Sequence, residues 1–234
     1  MGRPAFTEDQ ARFLHASQVA NLVAYGFSPE QAELVISKSP NPHFYRNDTV
    51  NHKLQNFESC GFTKREVMAI LLGSRSILGS SEESVNLKLK ILEEYGFTKK
   101  EIKKIIVGQP NILSLSEEKL RKKFQDLEAP RYTATNSSFT LTRDEVRALV
   151  ITLPHILGLN CEHNGKMDRK LRLMALITDG DKAEMLAHAQ RFRQGPAKTL
   201  SRIKHLMDQG KNWKNPSLVY ASVDGFHNRV KRVA

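Results

Sequence analysis

The segment Gly61-Phe62-Thr63-Lys64-Arg65-Glu66-Val67 returns 35 residues later as Gly96-Phe97-Thr98-Lys99-Lys100-Glu101-Ile102. The same distance upstream stands Gly26-Phe27-Ser28-Pro29-Glu30-Gln31-Ala32. A fixed period of this length restricts the fold to stacked supersecondary units, none able to bury its apolar face alone. Other columns keep the phase. Lys53-Leu54, Lys88-Leu89 and Lys123-Phe124 are 35 apart, as are Phe57, Leu92 and Leu127. Pro40 and Pro110 stand fourteen residues after their glycines, with Arg75 in that place in the middle copy.

Each copy reads as a physical unit. A Leu-rich amphipathic helix, Val85 to Tyr95 in the third copy, ends at Gly96, the residue best suited to a left-handed cap. Thr98-x-x-Glu101 is then a capping box opening a second helix, and it recurs as Thr63-x-x-Glu66 and Ser28-x-x-Gln31. Ile102, Ile105 and Ile106 give that helix a one-sided stripe, and Pro110 ends it. A short Pro-Asn-Ile-Leu turn leads to the next unit. The pattern predicts an all-α array of right-stacked helical pairs joined by Pro-led turns, without β-sheet. Leu54, Leu89 and Leu92 are expected in one continuous core.

Taken in order, residues 1–7 read as a disordered lead and 8–210 as an array of about five units. Asn41 to Arg46 reads as an aromatic-rich turn packed under the first unit. Residues 130–138, polar and rich in Ser and Thr, are an inserted loop. Beyond it Thr142-x-x-Glu145 and Pro154-His155-Ile156-Leu157 resume the phase, 44 residues after Pro110, which is one period plus nine. The fourth copy has lost its Gly-Phe pair. Weaker copies follow in Lys170-Leu171-x-x-Met174, in a helix from Lys182 to Arg193, and in Arg202-Ile203-x-x-Leu206 before Gly210. Residues 211–234, with Trp213, Tyr220 and Phe226, read as an end cap and a basic tail.

The Gly-Phe-Ser/Thr-x-x-Glu/Gln core, the apolar second helix and the Pro-x-Ile-Leu turn resemble the mitochondrial transcription termination factor (mTERF) repeat over roughly residues 20–177. The resemblance implies units of two helices plus a short third, curved into a half-ring. It also implies binding to double-stranded DNA or structured RNA in transcription termination, organellar gene expression or ribosome assembly, with some members pairing with an RNA-modifying enzyme. Two rival repeat classes fit less well. No variable polar pair of the pentatricopeptide code is present, nor the Trp, Leu-Gly and Tyr signature of tetratricopeptide repeats.

Charge points to the same partner. The net charge is +11, and residues 164–234 hold 15 Lys+Arg against 6 Asp+Glu, a net of +9. That asymmetry implies a polyanion. Lys53, Lys88 and Lys123, with Lys170 and Arg202 in the weaker copies, form a ladder that would track a phosphate backbone; the other reading is lysines snorkelling at the rim of a buried stripe. Arg191, Arg193, Lys198, Arg202 and Lys204 make the densest basic cluster. Lys99, Lys100, Lys103 and Lys104 read as a solvated helix face. Trp213, between Lys211 and Lys214, reads either as a base-stacking ring or as terminal core.

Catalysis finds no motif. Cys161 and His163 alone make no zinc pattern, and no phosphate loop or nucleophile elbow is present, so neither cofactor nor metal is expected. No apolar run reaches the ~18 residues of a membrane span. Two cysteines without a disulfide framework suit a reducing compartment, either a bacterial cytoplasm or a mitochondrial matrix. A monomer is expected, and the alternative to nucleic-acid binding is a scaffold for a partner enzyme.

Overall fold

The computed structural model describes residues 7–37, 47–132, 138–160, 165–187, 189, 196–210 and 214. In chain order the helices are α1 (Glu8–Tyr25), α2 (Pro29–Ser37), α3 (Asn47–Ser59), α4 (Lys64–Gly73), α5 (Glu82–Glu94) and α6 (Lys99–Gly108). They continue as α7 (Glu117–Glu128), α8 (Arg143–Thr152), α9 (Lys166–Ile177), α10 (Lys182–Ala187) and α11 (Pro196–Asp208). A 3-10 turn follows α4, α6 and α8, at Arg75–Gly79, Pro110–Ser114 and Pro154–Gly158. The fold is an all-α helical repeat, and each full unit is a first helix, a second helix and a 3-10 turn.

Local chemistry sets these boundaries. Gly26, Gly61 and Gly96 have φ of 129°, 88° and 89°. Each lets the next amide fold back onto the helix it has just left: Phe27, Phe62 and Phe97 donate to the carbonyls of Leu22, Phe57 and Leu92 at 3.1, 3.1 and 3.2 Å. This is the Schellman closure, and its hydrophobic contact is present as the edge-on pair Phe57–Phe62, 5.8 Å between centroids. Thr63, Thr98 and Thr142 then cap α4, α6 and α8, each in a complete box with Glu66, Glu101 or Glu145. Ser28 and Gln31 make the same pair of bonds. A further box that the sequence reading did not identify, Thr7 with Gln10, opens α1.

The core runs in columns. Val67, Ile102 and Val146 are buried, as are Ile70, Ile105 and Leu149. In the 3-10 turns, Ile77, Ile112 and Ile156 are buried with Leu78, Leu113 and Leu157. Arg75 therefore does not break the second copy, since its turn is anchored by the same Ile-Leu pair as the others. In the fourth copy Leu141, buried just before the capping Thr142, fills the column held by Phe62 and Phe97. One expectation fails here. Leu54 and Leu92 are core, but Leu89 is only half-buried, and α5 instead turns Val85, Lys88, Ile91 and Leu92 inward.

The structure adds two features. The insertion contains a two-residue antiparallel ribbon pairing Arg131 with Phe139 and Tyr132 with Ser138, where no strand was expected. The array also divides into two compact units, Met1–Glu117 and Glu118–Ala234. In the second unit α9 is buried on nearly every side. Asp181 caps α10 by accepting from the Glu184 amide, and Pro196 opens α11, a place where its missing N–H costs nothing. The 1–6 lead, the 40–46 turn, 133–137 of the insertion, Cys161, His163, Gly195, Trp213, Tyr220, Phe226 and the basic tail lie outside the described residues, as does the stretch expected to carry α10 on to Arg193, apart from Ala189.

The capping carboxylates make the fold acid-sensitive. Hydrogen bonds from Thr63 hold Glu66 below the usual glutamate value of 4.5. Burial pushes Glu145 up, but bonds from Thr142 and Lys182 outweigh it and the net shift is downward. A carboxylate with a depressed folded-state pKa contributes stability above its unfolded pKa and loses it as pH falls through the folded one. The melting temperature should therefore drop below about pH 4.5, in addition to any general acid effect. A Glu66→Gln/Glu145→Gln variant, which keeps the capping amide, should show a shallower drop there; melts with equal slopes would refute this cause.

Candidate nucleic-acid interface

The ladder lysines Lys53, Lys88 and Lys123 make bonds inside their own repeats. Lys53, on α3, donates to the Ser80 carbonyl, 27 residues ahead. Lys123, on α7, donates to the Leu159 carbonyl at 2.6 Å, 36 residues ahead. The second interval is the first plus the nine-residue insertion, so the two bonds are the same bond in different repeats. Ser80 and Leu159 are the C-caps of their 3-10 turns, where carbonyls lack helical partners. Each lysine on a first helix thus closes the end of its own unit's 3-10 turn.

Lys88 is 4% exposed and donates to Ser84 Oγ, one turn back on its own helix, at 2.6 Å. Lys170 is 6% exposed, its Nζ 3.3 Å from His155 Nε2, and Arg202 is also buried. Burial lowers the pKa of Lys53, Lys88 and Arg202; for Lys53 it outweighs the nearby carboxylates of Glu82 and Glu83. A phosphate cannot reach a cation enclosed in this way without opening the core. The structure thus places Lys88, Lys170 and Arg202 among interior groups, and has Lys53 and Lys123 half-buried and bonded to turn carbonyls of their own units.

The exposed cations lie elsewhere. Lys64, Lys99 and Arg143 are the first residues of α4, α6 and α8, one column in three copies, and all three are exposed. Arg65, Lys100 and Lys104 add exposed charge on α4 and α6. Cations in a helix's first turn oppose its macrodipole, at about 0.3–1 kcal/mol each. The neighbouring capping glutamates are engaged in their boxes. Glu66, Glu101 and Glu145 are turned onto their own caps, and Glu66 and Glu145 also meet Lys103 and Lys182 at 3.8 and 3.1 Å. The exposed side chains at the start of α4 and α6 are therefore mainly positive, whereas α2 opens on Glu30 and α8 carries Asp144 beside Arg143. Lys99 and Lys100 are solvated, as their sequence predicts, and Arg143 continues the Lys64–Lys99 sequence column across the insertion.

In the basic cluster of the last third, Lys204 is exposed on α11. Arg191, Arg193 and the side chain of Lys198 lie outside the described residues. Among the described residues no group of three His, Cys, Asp or Glu is placed to hold a metal ion, and no helix is long and apolar enough to cross a membrane. The mTERF family's sequence model matches residues 10–129. No curated protein matches the chain.

Proposed function

The chain belongs to the mTERF family, a family of nucleic-acid-binding helical repeats, and from that premise we propose that it binds double-stranded DNA or structured RNA chiefly through the phosphate backbone. In this reading it acts in transcription or in RNA metabolism. The observation that carries it is the sorting of charge at the second helices. At α4 and α6, Glu66 and Glu101 are turned into capping boxes while Lys64, Arg65, Lys99, Lys100 and Lys104 are exposed. Lys204, with Arg191, Arg193 and Lys198 near it in sequence, would supply a second contact region. No repeated position varies in the manner of a base-reading code, so affinity is expected to be nearly independent of sequence.

A salt titration tests this. With about five phosphates neutralised, log affinity for duplex DNA should fall against log salt with a slope of roughly −4 to −5, and less steeply for single strands. Neutralising Arg65, Lys100 and Lys104 together should make the slope shallower by about 2–3, as should neutralising Arg191, Arg193 and Lys204. Lys88→Met should leave it unchanged, since that cation never meets solvent. The absence of binding to duplex DNA, duplex RNA or single strands at low salt would overturn the function. Slopes unmoved by either triple variant would overturn the interface.

A further inference from the structure

We propose that the groove between the second and third repeats is a socket for a tyrosine side chain, presented by an acidic segment of a partner protein. The groove encloses about 400 Å³ and is lined by Cys60, Phe62, Leu89, Glu93, Lys99 and Lys103, among others. Its chemistry can be read from the joint one repeat earlier, where the chain fills the equivalent place itself.

At that earlier joint Tyr25, the last residue of α1, donates its hydroxyl to Glu58 Oε1 at 2.8 Å. Its ring centroid lies 6.2 Å from that of Phe27, and Lys64 Nζ stands 5.2 Å from the ring. Moving each residue by one period of 35 turns Glu58 into Glu93, Phe27 into Phe62 and Lys64 into Lys99. All three line the groove. The same step turns Tyr25 into Cys60. Acceptor, ring neighbour and cation are retained, and only the aromatic side chain they would hold is missing. Tyr95 restores the aromatic in the next copy of the sequence, so Cys60 is the exception in its column.

The core registers that vacancy. Leu54 is 2% exposed at the filled joint, whereas Leu89, its counterpart, is half-buried in the groove. An incoming ring would cover Leu89 and lie beside Phe62, with Lys99 over its face and Glu93 accepting its hydroxyl. Glu93 favours a neutral donor and disfavours a nucleotide, whose phosphate it would repel. Lys90, Lys99 and Lys103 along the groove complement acidic residues flanking the tyrosine. Cys60 is not the reactive element. Its thiol lies 3.6 Å from Asn86 Oδ1, and burial raises its pKa, which suppresses the thiolate.

The experiment titrates the full chain, without nucleic acid, with N-acetyl-tyrosinamide and N-acetyl-phenylalaninamide, followed by NMR at the Leu89 methyls and the Glu93 amide. Acidic decapeptides bearing one Tyr or one Phe extend the comparison. Tyrosine probes should shift both signals and bind about fivefold tighter than phenylalanine probes, the difference of one hydrogen bond. Glu93→Gln should shrink that preference, and Cys60→Tyr should abolish binding while raising the melting temperature. A Cys60→Tyr variant that melts lower than the parent, or that still binds the probes, overturns the socket. So does equal affinity for Tyr and Phe probes, or no shift at Leu89. Shifts produced by a single-stranded oligonucleotide but not by tyrosine would make the site a base pocket and overturn the proposal. Salt-dependent DNA binding does not enter these readouts, so the two readings can fail separately.

Discussion

Leu92→Ala is expected to cost about 2–5 kcal/mol of folding stability, and Leu89→Ala, three residues earlier on the same helix, less than about 2. Leu92 is fully buried beneath the second helices, and its carbonyl closes the Schellman bond from Phe97. Truncating a side chain with no exposed surface leaves a cavity in the core. Leu89 borders an open groove, so its truncation removes transfer energy from a side chain already partly in water and leaves no closed void. Repeat units share their core with their neighbours, and the Leu92 loss should therefore appear in one cooperative urea transition of the first compact unit. Equal losses at the two positions would mean that α5 does not have the rotation described. A fully buried Leu89 would also close the socket.

Gly73→Ala should be destabilising by about 1–3 kcal/mol, although alanine is ordinarily the better helix former. Gly73 ends α4, and a Cβ placed there would lie 2.8 Å from Pro110 Cγ of the following repeat's 3-10 turn. A proline ring cannot rotate aside as a long flexible side chain can. Relief requires moving the turn whose Ile112 and Leu113 are wholly buried. The sign is diagnostic: helix propensity alone predicts a gain of up to about 1 kcal/mol, and the packing contact predicts a loss. A thermal melt with Gly73→Ala and Gly73→Ser separates them, since serine should be at least as damaging. An unchanged or higher melting temperature for Gly73→Ala would show that the joint accommodates a methyl group.

The period, the Gly-Phe closures, the capping boxes and the buried Ile-Leu turns were all legible in the chain. Each is decided by residues within five or so positions: a glycine free to take positive φ, a hydroxyl three residues before a carboxylate, an apolar spacing of three and four. A 35-residue repeat of such local signals leaves stacked helices as the arrangement that buries every stripe. The fate of the cations and of the groove was not legible in the same way. Lys53 and Lys123 look like surface charges until the 3-10 turn of their own unit places the carbonyls of Ser80 and Leu159 against them. Lys88 is buried and Leu89 half-buried, the reverse of Lys53 and Leu54 one repeat earlier. Sequence spacing specifies where a residue stands along its repeat. Whether its side chain meets water or a carbonyl is set by neighbours 27 to 37 positions away, and those contacts exist only once the helices and turns have packed.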